Sequence, residues 1–380
     1  MSLPVVVDGI IYQLQPLGGI SRLFSEILPR IREIDPDIRI VLFTDTDAKL
    51  PTKELQGITP LIIPKVERYL RPARLWVPLI SRIRESARTL WLGMGRGHIW
   101  HSTYYTMPKH WKGKQVVTVV DMIHERFSNL FSTPEDVVFR KVKRRCVESA
   151  DAIICISETT RRDLETFYGI CGDYVHVIPL GCSEVFTTPS RCSKPEKSTE
   201  CQPFLLYVGD RNHYKNFTGL VGTYAKWHLK KDVPLVVVGR RWTLSEKQLL
   251  ANLKIDNLIT LVTDLDDEGL NRLYHRASAL VYPSLYEGFG IPLLEAMKCG
   301  CPIIASHIPS SLEIAGECPV YFEPHEESSL LAALDLLMSE GRNSARTAVG
   351  IERVKRYSWD NTARGTLCLY HKLKDAMNRR

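Results

Sequence analysis

Three observations predict an α/β fold built from two parallel-sheet units. Short apolar runs alternate with helix-period stretches along the whole chain, the order expected of repeated strand, helix, strand units. A chain of 380 residues exceeds the size at which a single hydrophobic core keeps growing, and its 44% hydrophobic content is ample for two cores. Between the two sets of runs, residues 189–203 are rich in Ser, Lys, Pro and Glu, have almost nothing to bury, and read as a linker.

The elements follow in order. In the first unit, residues 1–188, Pro4 to Val7 is a strand. A helix follows with the apolar face Ile20, Leu23, Phe24, Ile27, Leu28 and Ile31, and Arg39 to Thr44 is the returning strand. Val116 to Val120 and Ala152 to Ile156 continue the sheet. In the second unit, 204–356, the pattern repeats in Phe204 to Val208, Pro234 to Val238, Ile259 to Val262, Ala279 to Tyr282 and Pro302 to Ala305. Open parallel sheets bind ligands at the carboxyl ends of their strands, where Arg211, Gly239 and Glu287 fall.

EGFGIPLLE, residues 287–295, carries the most chemistry. Gly288 and Gly290 let the backbone take left-handed or crowded conformations, so peptide N–H groups can approach a ligand closely. Pro292 fits the first turn of a helix, Leu293, Leu294 and Met297 give it an apolar face, and Gly300 ends it. The open N–H groups of such a helix start attract an anion such as a diphosphate. Glu295 is placed to accept from paired ribose hydroxyls and Glu287 from sugar hydroxyls. The plainer alternative is a solvated loop charge at Glu287 and a dipole partner at Glu295, contributing about 0.3–1 kcal/mol. Upstream, FLLYVGDRNHYKNF (204–217) runs from an apolar strand through a glycine turn to Arg211 and Lys215, a planar fork and a point charge suited to a diphosphate. The alternative there is an ordinary surface Arg and Lys.

With these motifs the chain resembles the retaining glycosyltransferases of family 4. The likeness extends to Gly18 and Gly19 before a helix, HSTYY (101–105), CISETTRRDL (155–164), VIPLGCSEVF (177–186), CPIIAS (301–306), PSSLEIAG (309–316) and YSWDNTA (357–363). It implies the GT-B architecture: two Rossmann-like domains facing a central cleft, with a C-terminal helix, 357–380, crossing back to the first. The first domain takes the acceptor and the second the nucleotide sugar. It also implies that Arg211 and Lys215 stabilise the donor diphosphate, that Glu295 binds the ribose, and that Glu287 with the Phe289 and Gly290 backbone holds the sugar. Gly18, Gly19, Gly239, Gly288, Ile291 and Leu294 complete the donor-binding set, with base contacts from the backbone near Val262 and Thr263. The implied partners are a UDP- or GDP-linked hexose and a glycan or polyprenyl-diphosphate-linked acceptor in polysaccharide or glycolipid biosynthesis, with no cofactor and no metal.

One position departs from the family pattern. Where many relatives carry a His-Asp pair beside the donor sugar, this chain has Val120 followed by Asp121. His124 either supplies an imidazole from a slightly different point or is a polar loop residue. Two other classes stay open: a nucleotide-sugar epimerase of the same fold, and a scaffold that kept the fold without activity, which Val120 keeps in view. The acidic pairs Asp45/Asp47 and Asp264/Asp266 read as turn formers or helix caps.

Charge is unevenly placed. Residues 51–150 hold 18 Lys and Arg against 8 Asp and Glu in a chain of net charge +7. Arg68 to Arg96 mixes seven arginines with Trp76 and Trp91, and RKVKRR (140–145) forms a second cluster. Both suit an anionic membrane surface or a lipid diphosphate, or form an ordinary solvated basic face. No nucleic-acid recognition signature accompanies the charge. No apolar run approaches the ~18 residues of a spanning helix and no leader is evident, so the expected location is the cytoplasm, peripheral at the inner face of the cytoplasmic membrane. The ten cysteines are scattered without a CxxC and are expected to be reduced thiols.

Overall fold

The computed structural model describes residues 3–15, 18–45, 50, 55, 58–63, 97–108, 111–188, 202–342 and 345–379. The chain divides into two units, Met1–Leu180 with Trp359–Arg380, and Gly181–Ser358. The boundary expected after 188 therefore falls earlier. Residues 181–188 join the second unit because Phe186, fully buried, packs edge-on against Tyr274 at 6.0 Å. Lys298 holds the Ser183 carbonyl at 3.1 Å in the same unit. The linker reading at 189–203 lies largely outside the described residues.

In the first unit, β1 (Leu3–Asp8), β2 (Ile38–Asp45), β3 (Thr59–Ile63), β4 (Ile99–Ser102), β5 (Lys114–Val119), β6 (Ala152–Cys155) and β7 (Val175–Val177) form one sheet in the order β3-β2-β1-β4-β5-β6-β7. In the second, β8 (Leu205–Val208), β9 (Leu235–Val238), β10 (Ile259–Val262), β11 (Ala279–Tyr282), β12 (Ile303–Ser306) and β13 (Val320–Phe322) run β10-β9-β8-β11-β12-β13. Every pairing is parallel. Each sheet grows outward from its first strand, then reverses and adds its fourth strand on the other side of the first. That reversal opens a crevice at the carboxyl ends of the two strands.

The core of the second unit gathers Leu205, Leu235, Val237, Val281, Tyr224 and Trp227, all at 0–2% exposure. Each such side chain contributes about 1.5–3 kcal/mol by leaving water. In the first unit, the helix Gly19–Ile34 buries Leu23, Phe24, Ile27, Leu28 and Ile31 on one face, the spacing read in the sequence. The helix Trp359–Asn378 closes back on this unit. Its Asp360 pairs with Arg30 at 3.1 Å, and its Thr362 donates to the Pro179 carbonyl at 2.7 Å.

The deepest tie of that last helix is a polar one. Tyr370 reaches His101 Nδ1 at 2.5 Å, and His101 Nε2 meets Thr118 Oγ1 at 2.8 Å. Phe24 closes on the same imidazole at 5.2 Å. Burial lowers the His101 pKa to about 3, so the folded ring stays neutral. An unfolded His101 takes up a proton below pH ~6.5, and the folded one does not until about pH 3. Stability from this site is therefore complete above pH ~6.5 and is lost as pH falls toward 3. Urea denaturation between pH 7 and 4 should show this slope in the wild type and a shallower one in His101→Gln.

Candidate active site

The second sheet reverses between β8 and β11, and the loops after these two strands carry the predicted site. After β8, Gly209 turns the chain at φ +134°, Arg211 follows, and a short 3-10 turn, His213–Lys215, ends at the left-handed Asn216. After β11, Pro283 and Ser284 lead to Glu287, and Gly290 at φ +128° starts the helix Ile291–Lys298. The Leu285 N–H donates to the Tyr214 carbonyl at 2.7 Å and ties the loops together. Lys215 Nζ then stands 2.6 Å from Glu287 Oε1, the oxygen that also accepts from Ser284 Oγ at 2.6 Å. Burial works against the Lys215 charge, but Glu287 and Tyr214 outweigh it and leave the pKa above its ordinary value. Tyr282 lies beneath, its phenol pushed well up by burial first and then by the Glu287 charge.

Arg211, read in the sequence as a fork suited to a diphosphate, is engaged within the protein. Its side chain is fully buried and forks onto Glu246, with Nε at 2.7 Å and Nη2 at 3.2 Å. Nη2 also donates to the Arg240 and Arg241 carbonyls at 2.8 and 3.1 Å, and the guanidinium stacks on Trp242 at 4.4 Å. Nη1 is buried without a protein partner, a condition that costs about 1–3 kcal/mol when nothing completes it. A Cβ built at Gly239 would lie 3.1 Å from that nitrogen and 2.7 Å from the Gly209 carbonyl oxygen, so only glycine fits there.

The rest of the second-unit set divides. Glu295 is 4% exposed and accepts from the buried Tyr274 hydroxyl at 3.0 Å. The Leu294 side chain is fully buried. Of the glycine pair, Gly290 has the positive φ, and Gly288 does not need it. Phe289 packs its ring edge-on to Tyr357 at 5.9 Å, and Ile291 opens the helix. The Val262 carbonyl accepts the Gly239 N–H at 3.1 Å, with Thr263 next at the end of β10. Asp266 caps the following helix through the Gly269 N–H at 2.8 Å. Sequence reasoning passed over Ser284, Tyr282, Tyr274, Trp242 and Glu246. Thr243 and Glu246, three apart, form a capping box, which was the one signal available for the last of these.

The remaining candidates stand in the first unit. Gly18 is extended at φ −176° and Gly19 opens the helix Gly19–Ile34, so the pair is a helix start rather than a left-handed turn. Asp121 follows β5 and accepts from the Ile123 N–H at 3.1 Å. His124 sits half-buried between Phe131 and Phe139, ring centroids 4.4 and 4.6 Å away. Burial lowers its pKa, against the pull of Asp121. The Arg68–Arg96 stretch lies outside the described residues. The 140–145 cluster is not a uniform basic face. Lys143 is 1% exposed and turned inward, with Nζ 2.8 Å from both the Asp121 carbonyl and Glu125 Oε2. Arg140 caps the Phe131 carbonyl, and Arg144 pairs with Glu148 at 2.7 Å. The eight described cysteines are free thiols, and burial pushes those of Cys146 and Cys155 up to about 12.

Comparison with known proteins identifies the class. The family model "Glycosyltransferase Family 4" matches residues 17–184, and "Glycosyl transferases group 1" matches residues 191–351. The chain belongs to the glycosyltransferases of family 4 and has the GT-B fold. Among its relatives is O-antigen chain mannosyltransferase B of Escherichia coli, 28% identical over 93% of this chain and 96% of that one. Another is the O-antigen chain mannosyltransferase RfbU of Salmonella typhimurium, 26% identical over 68% and 69%. In fold, the chain is similar to sucrose-phosphate synthase from Thermosynechococcus elongatus, with a TM-score of 0.74, 20% identity, and coverage of 98% of this chain and 100% of that one.

Lys143→Ala should destabilise the protein by about 3–5 kcal/mol, because it leaves the Glu125 carboxylate buried and unpaired. Lys143→Met with Glu125→Leu should cost clearly less. Urea unfolding of the two variants checks the difference.

Proposed function

We propose that this glycosyltransferase moves a hexose, with retention, from a UDP- or GDP-linked donor to a hydroxyl of a glycan or lipid-linked acceptor in polysaccharide or glycolipid assembly. The observation that carries it is the meeting of Lys215 and Glu287 at the sheet reversal, beside a helix start whose N–H groups attract anions. In this reading Lys215 passes from Glu287 to the donor's phosphate, and Glu287 turns its acceptor capacity to the sugar hydroxyls. Arg211 offers Nη1 to the diphosphate, and Glu295, steadied by Tyr274, takes the ribose. Asp121 is the first unit's candidate for a catalytic part; His124, wedged between two phenyl rings, is the weaker candidate. Mannose is the sugar named for both curated relatives and is the first donor to test.

The bond from the anomeric carbon to the phosphate oxygen breaks as the acceptor oxygen attacks from the same face. The acceptor's proton passes to the leaving phosphate. Stabilising charge on that phosphate is the main demand, and prearranged donors meet it best. Lys215 and the backbone N–H groups at Gly288 to Ile291 are suited to do this without a divalent metal.

Lys215→Ala should lower turnover by about a hundredfold or more, and EDTA should leave the wild-type rate unchanged. Near-normal turnover in the variant would remove the assignment. Sugar isomerisation without transfer would indicate an epimerase, and donor binding without cleavage a scaffold. A thermal-shift panel of UDP, GDP, GDP-mannose and UDP-glucose identifies the base, since a ligand at a hundred times its Kd stabilises by about 2.7 kcal/mol.

A peripheral membrane role is favoured by one surface of the first unit. On the helix Pro134–Glu148, Val138 and Val142 are 59% and 47% exposed, and the exposed Lys141 and Arg145 lie on the same face. Apolar side chains flanked by cations suit an anionic lipid surface. The protein should cosediment with vesicles containing phosphatidylglycerol, and Lys141→Glu with Arg145→Glu should reduce the bound fraction severalfold, without loss in neutral vesicles.

A further inference from the structure

We propose that Glu246 is a positioning residue for the donor diphosphate, holding the Arg211 guanidinium in a single plane so that Nη1 is presented to a phosphate oxygen. The inference rests on the reading of the site given above and adds a residue to it. Four contacts fix the guanidinium: the Glu246 carboxylate, the Arg240 and Arg241 carbonyls, and the Trp242 ring. Together they engage Nε and Nη2 and leave Nη1 buried and unpartnered. That nitrogen stands beside Gly239, at the end of β9 and against Gly209 at the end of β8. Ligands of parallel sheets collect at these strand ends.

Glu246 is itself anchored. Its Oε2 accepts from the Thr243 N–H at 2.7 Å and from the Thr243 hydroxyl at 2.9 Å, at the start of the helix Leu244–Asn252. Burial pushes its carboxyl up, but the bonds from Arg211 and Thr243 prevail and hold it below the ordinary range. The pair is thus locked from both sides. Because the carboxylate neutralises the guanidinium, Arg211 acts on the diphosphate by the direction of its N–H bonds more than by net charge.

Donor kinetics and nucleotide Kd in Arg211→Ala, Glu246→Ala, Glu246→Gln and the Arg211→Ala/Glu246→Ala double variant test the proposal. Glu246→Ala should lower kcat/KM for the donor about 10–100-fold, the effect of a misplaced group near the reacting centre. Glu246→Gln keeps an acceptor oxygen for Nε and should recover most of that loss. The double variant should be no worse than Arg211→Ala alone, since residues that act as a unit do not add. Millimolar guanidinium should partly restore Arg211→Ala, by seating between Glu246 and Trp242, and should fail to restore the double variant. An impaired Arg211→Ala beside a normal Glu246→Ala, multiplicative losses in the double variant, or equal rescue in both backgrounds would overturn the positioning role alone. A normal Arg211→Ala would overturn the phosphate assignment and the proposal with it.

Discussion

The pairing of opposite charges across two strand ends is the constraint on which the second unit's site depends. Lys215 and Glu287 belong to loops that are 72 residues apart in sequence, yet the sheet order places their strands side by side. Glu287 is buried and Lys215 partly so, and a charge placed there without a partner gives up solvation worth several kcal/mol. Each therefore holds the other in place. In the function proposed above, a phosphate takes the carboxylate's place at Lys215 and hydroxyl donors take the ammonium's at Glu287, which keeps both groups satisfied. The reorganisation is small because the loops are already tied by the Leu285 to Tyr214 backbone bond.

The same balance applies at Arg211 and changes what electrostatics can do there. The two cations face two carboxylates, Glu246 and Glu287, so neither pair adds net charge to the site. In the function proposed above, affinity for a diphosphate draws on direction: the helix start at Gly290, the Nη1 nitrogen, and the narrow approach that Gly209 and Gly239 leave open. Glycine at 209 is required by its φ, and glycine at 239 by the neighbouring carbonyl. These are different physical reasons, and only the second concerns space beside the guanidinium.

The strands with long apolar runs were legible in the sequence, since parallel strands buried on both faces carry them. β1, β2, β5, β6 and the strands from β8 to β12 fall within a residue or two of the expected positions. β4 was missed because its sequence, IWHS, buries a histidine and a serine, the first satisfied by Thr118 and Tyr370, distant in the chain, and the second by Thr106 just beyond the strand. β7 and β13, three residues each, are too short to show a period, and β3 contains Pro60. At the site, the acidic motif and the two cations were legible as types of chemistry. Their pairing was not, because a sequence does not show which carboxylate a given arginine meets. Leu294 lies within the same motif, and the helix turns its side chain into the core.

Lys143 shows most plainly why charge patterning misleads. RKVKRR reads as one basic surface, but a helix distributes six consecutive residues around its whole circumference. Lys143 therefore points inward, where Glu125, the Asp121 carbonyl and the Tyr105 ring at 5.2 Å enclose it. Tyr168 completes the cluster by donating to the second Glu125 oxygen at 2.5 Å. A buried ion pair of this kind adds little to stability compared with an apolar replacement, although removing one partner is costly. What it does supply is placement. It fixes the chain just after β5 by a charged donor on the Asp121 carbonyl, so the Asp121 side chain is presented from a held backbone. The exposed basic face of the helix then rests with Lys141 and Arg145 beside two exposed valines, while the buried lysine serves the interior of the same unit.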